Sequence, residues 1–222
     1  MVTTVQVIGA GRVGSAVAAR LAERGVDLDA PAAELVLLCV PDAAIADVAA
    51  TVEPGPWVAH VSGATPIAAL APHARRFACH PLQTFVRWRG AEQLDGAFAA
   101  VRAETDEARA TGFALAQLLG LEPFALAEEQ APLYHASASI ASNFLVTLHQ
   151  LAARLLIEAG APAEALLPLM RRTIDNDFEL TGPLQRSDTA TVERQRTAVA
   201  AAAPELLPVF DALVAATAQV AA

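Results

Sequence analysis

The sequence predicts an α/β fold: a shortened, doubly wound parallel sheet followed by an all-helical C-terminal region. Three observations predict it. A β-branched run at residues 4–8 ends in a glycine turn that opens a helical pattern. Short apolar runs then alternate with helical stretches as far as residue 128. Beyond 128 no strand pattern recurs, and apolar residues repeat at helical spacing.

Thr4-Val5-Gln6-Val7-Ile8 runs into Gly9-Ala10-Gly11-Arg12-Val13-Gly14; Val13, Val17 and Leu21 then recur at helical spacing, and Gly25 closes the run. Residues 35–40 are continuously apolar, as in a parallel strand covered on both faces, and Pro41 stops them. Residues 42–52 make a short helix, and residues 57–61 a third strand ending at Ser62-Gly63. Residues 77–79 and 98–101 read as two more strands. A helix over 106–119 leads to a last short strand near 123–126. Helices then cover 132–159, 162–176, 189–203 and 204–222, with Pro162 and Pro204 at first-turn positions. Asp188, ahead of Thr189, Thr191 and Glu193, reads as a helix cap. The patterns divide the chain into a sheet domain over 1–128 and a helical domain over 129–222.

Charge narrows the function classes. With 15 basic and 24 acidic residues the formal net charge is -9, which argues against a nucleic-acid surface or an anionic membrane as partner. All 15 basic residues are arginine, so chemistry that requires a lysine is excluded. Cys39 and Cys79 have neither metal-ligand spacing nor a disulfide framework, and no metal site is expected. No run of about 18 residues stays apolar, and no basic residue precedes the first apolar run. The expectation is a cytoplasmic protein with no membrane partner.

Gly9-x-Gly11-x-x-Gly14, set between a strand and a helix, has the context of a dinucleotide-binding turn. Its glycines serve a tight turn, close approach of backbone to a pyrophosphate, and close helix–strand packing. The amides at the helix start, through Arg12, Val13 and Gly14, favour an anion. A complete nucleotide half next requires a strand ending in an acid, another helix and a third strand. Only residues 26–34 intervene, room for a stub with Asp29 near the acid position. The adenosine wall is therefore expected to be short. Val40, Pro41 and Ser62 end the following strands at the same cofactor edge. The cofactor expected is NADP or NAD, with lost nucleotide binding as the alternative.

Ser62 contacts a ligand or closes a plain turn. His80 and Gln83 follow another strand to the same edge, where His80 touches substrate or serves as a hydrogen-bonded structural histidine. In the segment 134–145, 3.6 residues per turn align His135, Ser139, Ser142 and Asn143 on one stripe. An imidazole beside hydroxyl and amide groups can orient a carbonyl oxygen and supply its proton; the same stripe can be satisfied across a helix interface. Thr181 and Arg186 occupy a polar turn, where Arg186 clamps a carboxylate or holds Asp188 or a helix end.

Residues 9–14, 37–41, 60–63 and 80–85, the segment 134–145, and Leu180-Thr181-Gly182-Pro183 with Arg186 and Asp188 together resemble uncharacterised Rossmann-like proteins with a helical C-terminal domain of unknown function. Those proteins are labelled NADP-dependent or deazaflavin-dependent oxidoreductases. They are similar in architecture to the 6-phosphogluconate dehydrogenase-like superfamily. The resemblance implies a truncated Rossmann-like domain, a homodimer formed through the C-terminal helices, and oxidoreduction of a small keto, hydroxy or imino acid. In that superfamily the helix entering the second domain carries a catalytic lysine with an asparagine one turn on. His135 stands in the comparable place here, with Ser139 one turn on and Asn143 two. The His80-Pro81 pair resembles the substrate-site histidine of prephenate dehydrogenases. The expected catalytic residues are His135, which donates the proton, Asn143, which orients the oxygen, and His80 beside the substrate, with substrate contact by Gln83, Ser139, Thr181 and Arg186. The competing reading is a non-catalytic homodimer that has lost its cofactor and binds a ligand or regulates.

Overall fold

The apolar runs become six strands of one sheet in the order β1 (Val5–Ile8), β2 (Leu35–Leu38), β3 (Trp57–His60), β4 (Arg76–Leu82), β5 (Phe98–Ala103) and β6 (Glu122–Ala125). The computed structural model describes residues 2–221. Three helices belong to the sheet region: α1 (Arg12–Glu23), α2 (Ile45–Ala49) and α3 (Asp106–Leu118). Alternation along the buried strands feeds two faces. Leu35, Leu37, Trp57, Ala59 and Phe77 join residues of α1 and α3 in the larger core. Val36, Leu38 and Val58 pack with Ile45 and Ala49 of α2 and with Leu70.

β1 to β4 are parallel. β5 departs from the expected all-parallel sheet. It runs antiparallel to β4, from Phe77↔Ala103 to Leu82↔Phe98, and β6 follows parallel to β5. The connection is the reason. A parallel return requires a crossover across the sheet, whereas residues 83–97 hold only the short 3-10 turn Ala91–Leu94 and bring the chain back to the edge it left.

On the free side of β1, a single parallel bridge, Thr4↔Asp27, is the whole of the second strand among the described residues. Asp27 Oδ1 then accepts the Asp29 amide at 2.9 Å and turns the chain. The intervening residues are too few for a strand, a helix and another strand.

The helical region comprises α4 (Ala131–Ser139), a π turn (Ile140–Phe144), α5 (Leu145–Glu158), α6 (Leu166–Asp175), α7 (Thr189–Ala202) and α8 (Leu207–Val220). Asp188 caps α7, Oδ1 accepting the Thr191 amide at 3.0 Å and Oδ2 its hydroxyl at 2.6 Å. Ala222, the last residue of the expected final helix, lies outside the described residues. The compact units are Met1–Ala141 and Ser142–Ala222. Their division falls later than residue 128 because Glu128 and Tyr134 are bonded to groups of the sheet. The second unit has its own small core of Val199, Ala203 and Leu206 with Leu151, Leu155, Leu207 and Phe210.

Joined end to end, Glu128–Glu158 form one helical run that is long and apolar enough to cross a membrane by length and composition, with a mean hydropathy of 1.3 in its richest window. Polar residues interrupt the run throughout, so no stretch of about 18 residues in it stays apolar, as the sequence led one to expect. His135, Asn143 and His149 lie along the run, groups that are costly on a lipid-facing helix.

Candidate functional site

The first part of the site is backbone. β1 delivers Gly9 at a φ of +115°, and a Cβ there would stand 2.4 Å from the Cys39 carbonyl oxygen. A Cβ on Gly14 would stand 1.9 Å from the Gly9 carbonyl oxygen, so α1 can approach β1 this closely only without a side chain. Gly11 differs: nothing lies within 4 Å of where its Cβ would be. It also precedes α1, which has no side-chain cap and no acid in its first turn. The first-turn amides of Arg12, Val13 and Gly14 therefore have no side-chain cap, the kind of helix start at which an anion is stabilised.

The second part lies on the face shared with Val36 and Val58, where register sets two cross-strand rows. His60 pairs with Ala78 and Ala78 with Arg102. His80 pairs with Ala100 and Ala100 with Phe124. In each row a small alanine between two large groups leaves them room. Arg102 is only 1% exposed. One guanidinium nitrogen donates to the Ser62 and Thr65 carbonyls at 3.0 and 2.8 Å, and another to Glu128 Oε2 at 3.1 Å. Glu128 Oε1 in turn accepts the Ile67 amide at 2.9 Å. This fork ties the loop after β3 to the segment that starts α4. Tyr134 of α4 then stands edge-on to both His80 and Phe124, with centroids at 5.5 and 6.0 Å. Its Oη lies 2.7 Å from His80 Nδ1. His135 comes edge-on to His80 at 6.1 Å. Both imidazoles press against Gly63, where a Cβ would meet His135 Cδ2 at 2.7 Å and His80 Nε2 at 3.0 Å.

Burial, with smaller contributions from neighbouring His135 and Arg102, pushes His80 down to about 4. His60 is fully buried and is likewise pushed down to about 4, by burial first and Arg102 second. Its Nδ1 accepts the Ser62 amide at 3.2 Å, and its Nε2 makes no hydrogen bond of good geometry among the described residues, although the Pro66 carbonyl offsets part of the shift. The Tyr134 phenol is pushed up to about 12 by burial and stays protonated at neutral pH. Stability should therefore fall as pH drops from 6.5 toward 4. Unfolded histidines take up protons near 6.5, whereas these two resist until about 4. The loss reaches up to about 1.4 kcal/mol per pH unit for each ring. Urea midpoints at about pH 7.5 and about pH 5 test this; equal midpoints would contradict it.

The other expected site residues are more dispersed. Val40 and Pro41 follow β2, and Asp29 lies exposed past the stub. Ser62 closes its own turn, Oγ accepting the amides of Ala64 and Thr65 at 3.2 and 2.9 Å. Gln83 Oε1 accepts the adjacent Thr84 amide at 2.8 Å, which engages its carbonyl within its own loop. Ser139 is one helical turn beyond His135 and half-buried. Past it, the π turn adds a residue and rotates the succeeding helix by about 100°. The expected stripe assumes 3.6 residues per turn, a period that does not hold through Ile140–Phe144. Asn143, Thr181 and Arg186 belong to the second unit, where Arg186 donates to the Thr181 carbonyl at 2.6 Å and so braces its own turn. Sequence reasoning missed Arg102, Glu128, Tyr134 and Gly63. Tyr134 beside His135 and Gly63 beside Ser62 are the local signals; nothing local sets Arg102 apart from the other arginines.

Comparison with known proteins returns the same architecture. Residues 22–85 match a Rossmann-like domain, and no curated protein matches the sequence. Among solved structures, a candidate NADP oxidoreductase from Bacteroides fragilis is 22% identical, with a TM-score of 0.81 over 98% of both chains. The Thermotoga maritima protein TM1727 is 23% identical, with a TM-score of 0.79 over 98% of both chains. A reductive aminase from Aspergillus terreus, solved with NADPH and ethyl-5-oxohexanoate, is 18% identical, with a TM-score of 0.62 over 99% of this chain and 94% of its own. At such identities the likeness is one of fold, and that fold is shared with NADP oxidoreductases. Residues 97–217, more than half of the chain, match the domain of unknown function DUF2520. The chain belongs to the DUF2520 family, with a Rossmann-like domain at its N-terminal side.

Proposed function

We propose that this chain is an oxidoreductase that uses NADP or NAD to reduce a small keto or imino acid beside His80, Tyr134 and His135. The observation that supports the reading is the space around a Cβ position on Gly11, ahead of the uncapped α1, since a helix start of this kind favours a diphosphate. Gly9, Gly11, Arg12, Val13 and Gly14 would hold that diphosphate, with Val40, Pro41 and Ser62 at the neighbouring strand ends and Asp29 at the ribose end. A nicotinamide supplies a hydride when bound. The chain's own part is placement: Gly63 leaves room for both imidazoles, His80 offers a hydrogen bond, and His135 delivers the proton to the reduced atom.

The test is a titration of the purified chain with NADPH, read by fluorescence or calorimetry. Saturable binding is expected, and Gly11→Asp, which adds a carboxylate where the diphosphate would lie, should abolish it while changing stability by less than about 1 kcal/mol. Absence of binding at millimolar NADPH would overturn the reading. It would favour the second one, a ligand-binding or regulatory homodimer without cofactor, for which the missing strands beyond Asp27 are the supporting observation.

Pairing with a second copy through the C-terminal helices is part of both readings. Ile140, Phe144, Val146 and Ile157, along Glu128–Glu158, are each more than half exposed, a density of apolar surface that marks interaction sites. Light scattering that returned a monomer at micromolar concentration would remove this element.

A further inference from the structure

We propose that Tyr134 fixes His80 in the tautomer that carries its proton on Nε2, and that this N–H is the donor the site offers to a lone pair such as that of a carbonyl oxygen. Tyr134 is the positioning residue; His80 makes the contact. The role of His80 as donor to substrate rests on the oxidoreductase reading, whereas its tautomer does not.

The geometry carries the argument. Tyr134 Oη and His80 Nδ1 are 2.7 Å apart, so one of them donates to the other. A phenol O–H is a stronger donor than a neutral imidazole N–H, and the bare imidazole nitrogen is a stronger acceptor than a phenol oxygen. The pair therefore settles as O–H···Nδ1, which leaves the ring's single proton on Nε2. The rows of the sheet hold this arrangement. Tyr134 stands edge-on to both His80 and Phe124, which Ala100 separates in register. Its ring cannot swing away without losing both contacts.

The other end of His80 is the useful one. Nε2 has no hydrogen-bond partner among the described residues, and it abuts Gly63, where any side chain would displace both His80 and His135. The absence of a side chain at Gly63 is thus what lets the two imidazole edges share one spot. Burial keeps His80 uncharged at neutral pH, so Nε2–H acts as a neutral donor and not as an acid. A neutral donor complements an atom with a free lone pair, as in a ketone or aldehyde. It has nothing to offer a protonated iminium. No bond to hydrogen is broken at His80 in this role, and the proton that completes a reduction comes from elsewhere in the site.

The experiment is long-range 1H–15N spectroscopy on the full chain labelled with 15N at histidine, with His80→Gln identifying the signals. In the wild type at neutral pH, Nδ1 of His80 should read as the bare acceptor nitrogen and Nε2 as the protonated one. Tyr134→Phe keeps the ring and its packing but removes the O–H. It should turn His80 into a mixture of the two tautomers and raise its titration midpoint by about half to one pH unit, the equivalent of one lost hydrogen bond to the neutral ring. The His60 signals should not move. A wild-type His80 protonated on Nδ1 overturns the proposal, as does a Tyr134→Phe spectrum with the wild-type tautomer. Should the variant fail to fold, the wild-type spectrum alone still decides the tautomer. Failure to bind NADPH with the tautomer confirmed would remove the oxidoreductase reading and leave the positioning by Tyr134 standing.

Discussion

Gly14→Ala is expected to destabilise the first unit by about 3 kcal/mol or more, at or beyond the upper end of overpacking costs. The added methyl would land 1.9 Å from the Gly9 carbonyl oxygen. That atom is backbone and cannot rotate aside as a side chain would. Gly9 has no room to retreat either, since its own α-carbon already faces the Cys39 carbonyl. The strain must lift α1 from the sheet, and Val17 and Leu21, both fully buried, would lose packing with it. Gly11→Ala is the control. Its methyl enters open space, so the change should stay within about 1 kcal/mol. Urea unfolding of the two variants separates the cases; a Gly14→Ala protein as stable as Gly11→Ala would show that the helix–strand approach is softer than its geometry indicates.

Arg102→Met is expected to cost about 3 kcal/mol, the low end of the range for breaking a buried ion pair by removing one partner. The low end applies because the Glu128 side chain is 41% exposed and can recover water. The Ser62 and Thr65 carbonyls, by contrast, lose their donor outright. The consequence should reach further than stability. Without the fork, the loop that presents Gly63 and the segment that presents Tyr134 are no longer tied to one side chain. The His80 midpoint, near 4 in the intact protein, should rise as water enters and the guanidinium charge disappears. A stability loss below about 1 kcal/mol, read from the urea midpoint, would mean that Arg102 fills space without joining these segments.

Much of the fold can be read along the chain. Leu35 to Val40 is continuously apolar because both faces of a central strand are covered, and Asp188 can be placed as a cap because its carboxylate serves an amide three residues on. The shortened nucleotide half is equally readable, since the stretch between Gly25 and Leu35 cannot hold a helix and two strands. The antiparallel turn of β5 is not. Its residues are as apolar as those of its neighbours, and direction depends on whether residues 83–97 cross the sheet. The π turn at Ile140–Phe144 is unreadable for a related reason: helical pattern assumes 3.6 residues per turn, and the turn breaks that period without any marker such as glycine or proline.

The site divides along the same line. The glycine turn is local chemistry, with all three residues within one bend, so spacing together with the strand before it and the helix after it makes it legible. The imidazole cluster joins His80 to Tyr134 across 54 positions, and Ser62 to Arg102 across 40. Short-range pattern by itself determined the strands, the turn and the missing wall, because each depends on neighbours in sequence. Strand register decided which distant side chains share a row, and burial in that row decided their charge, because desolvation is a property of the packed interior and not of any segment that enters it.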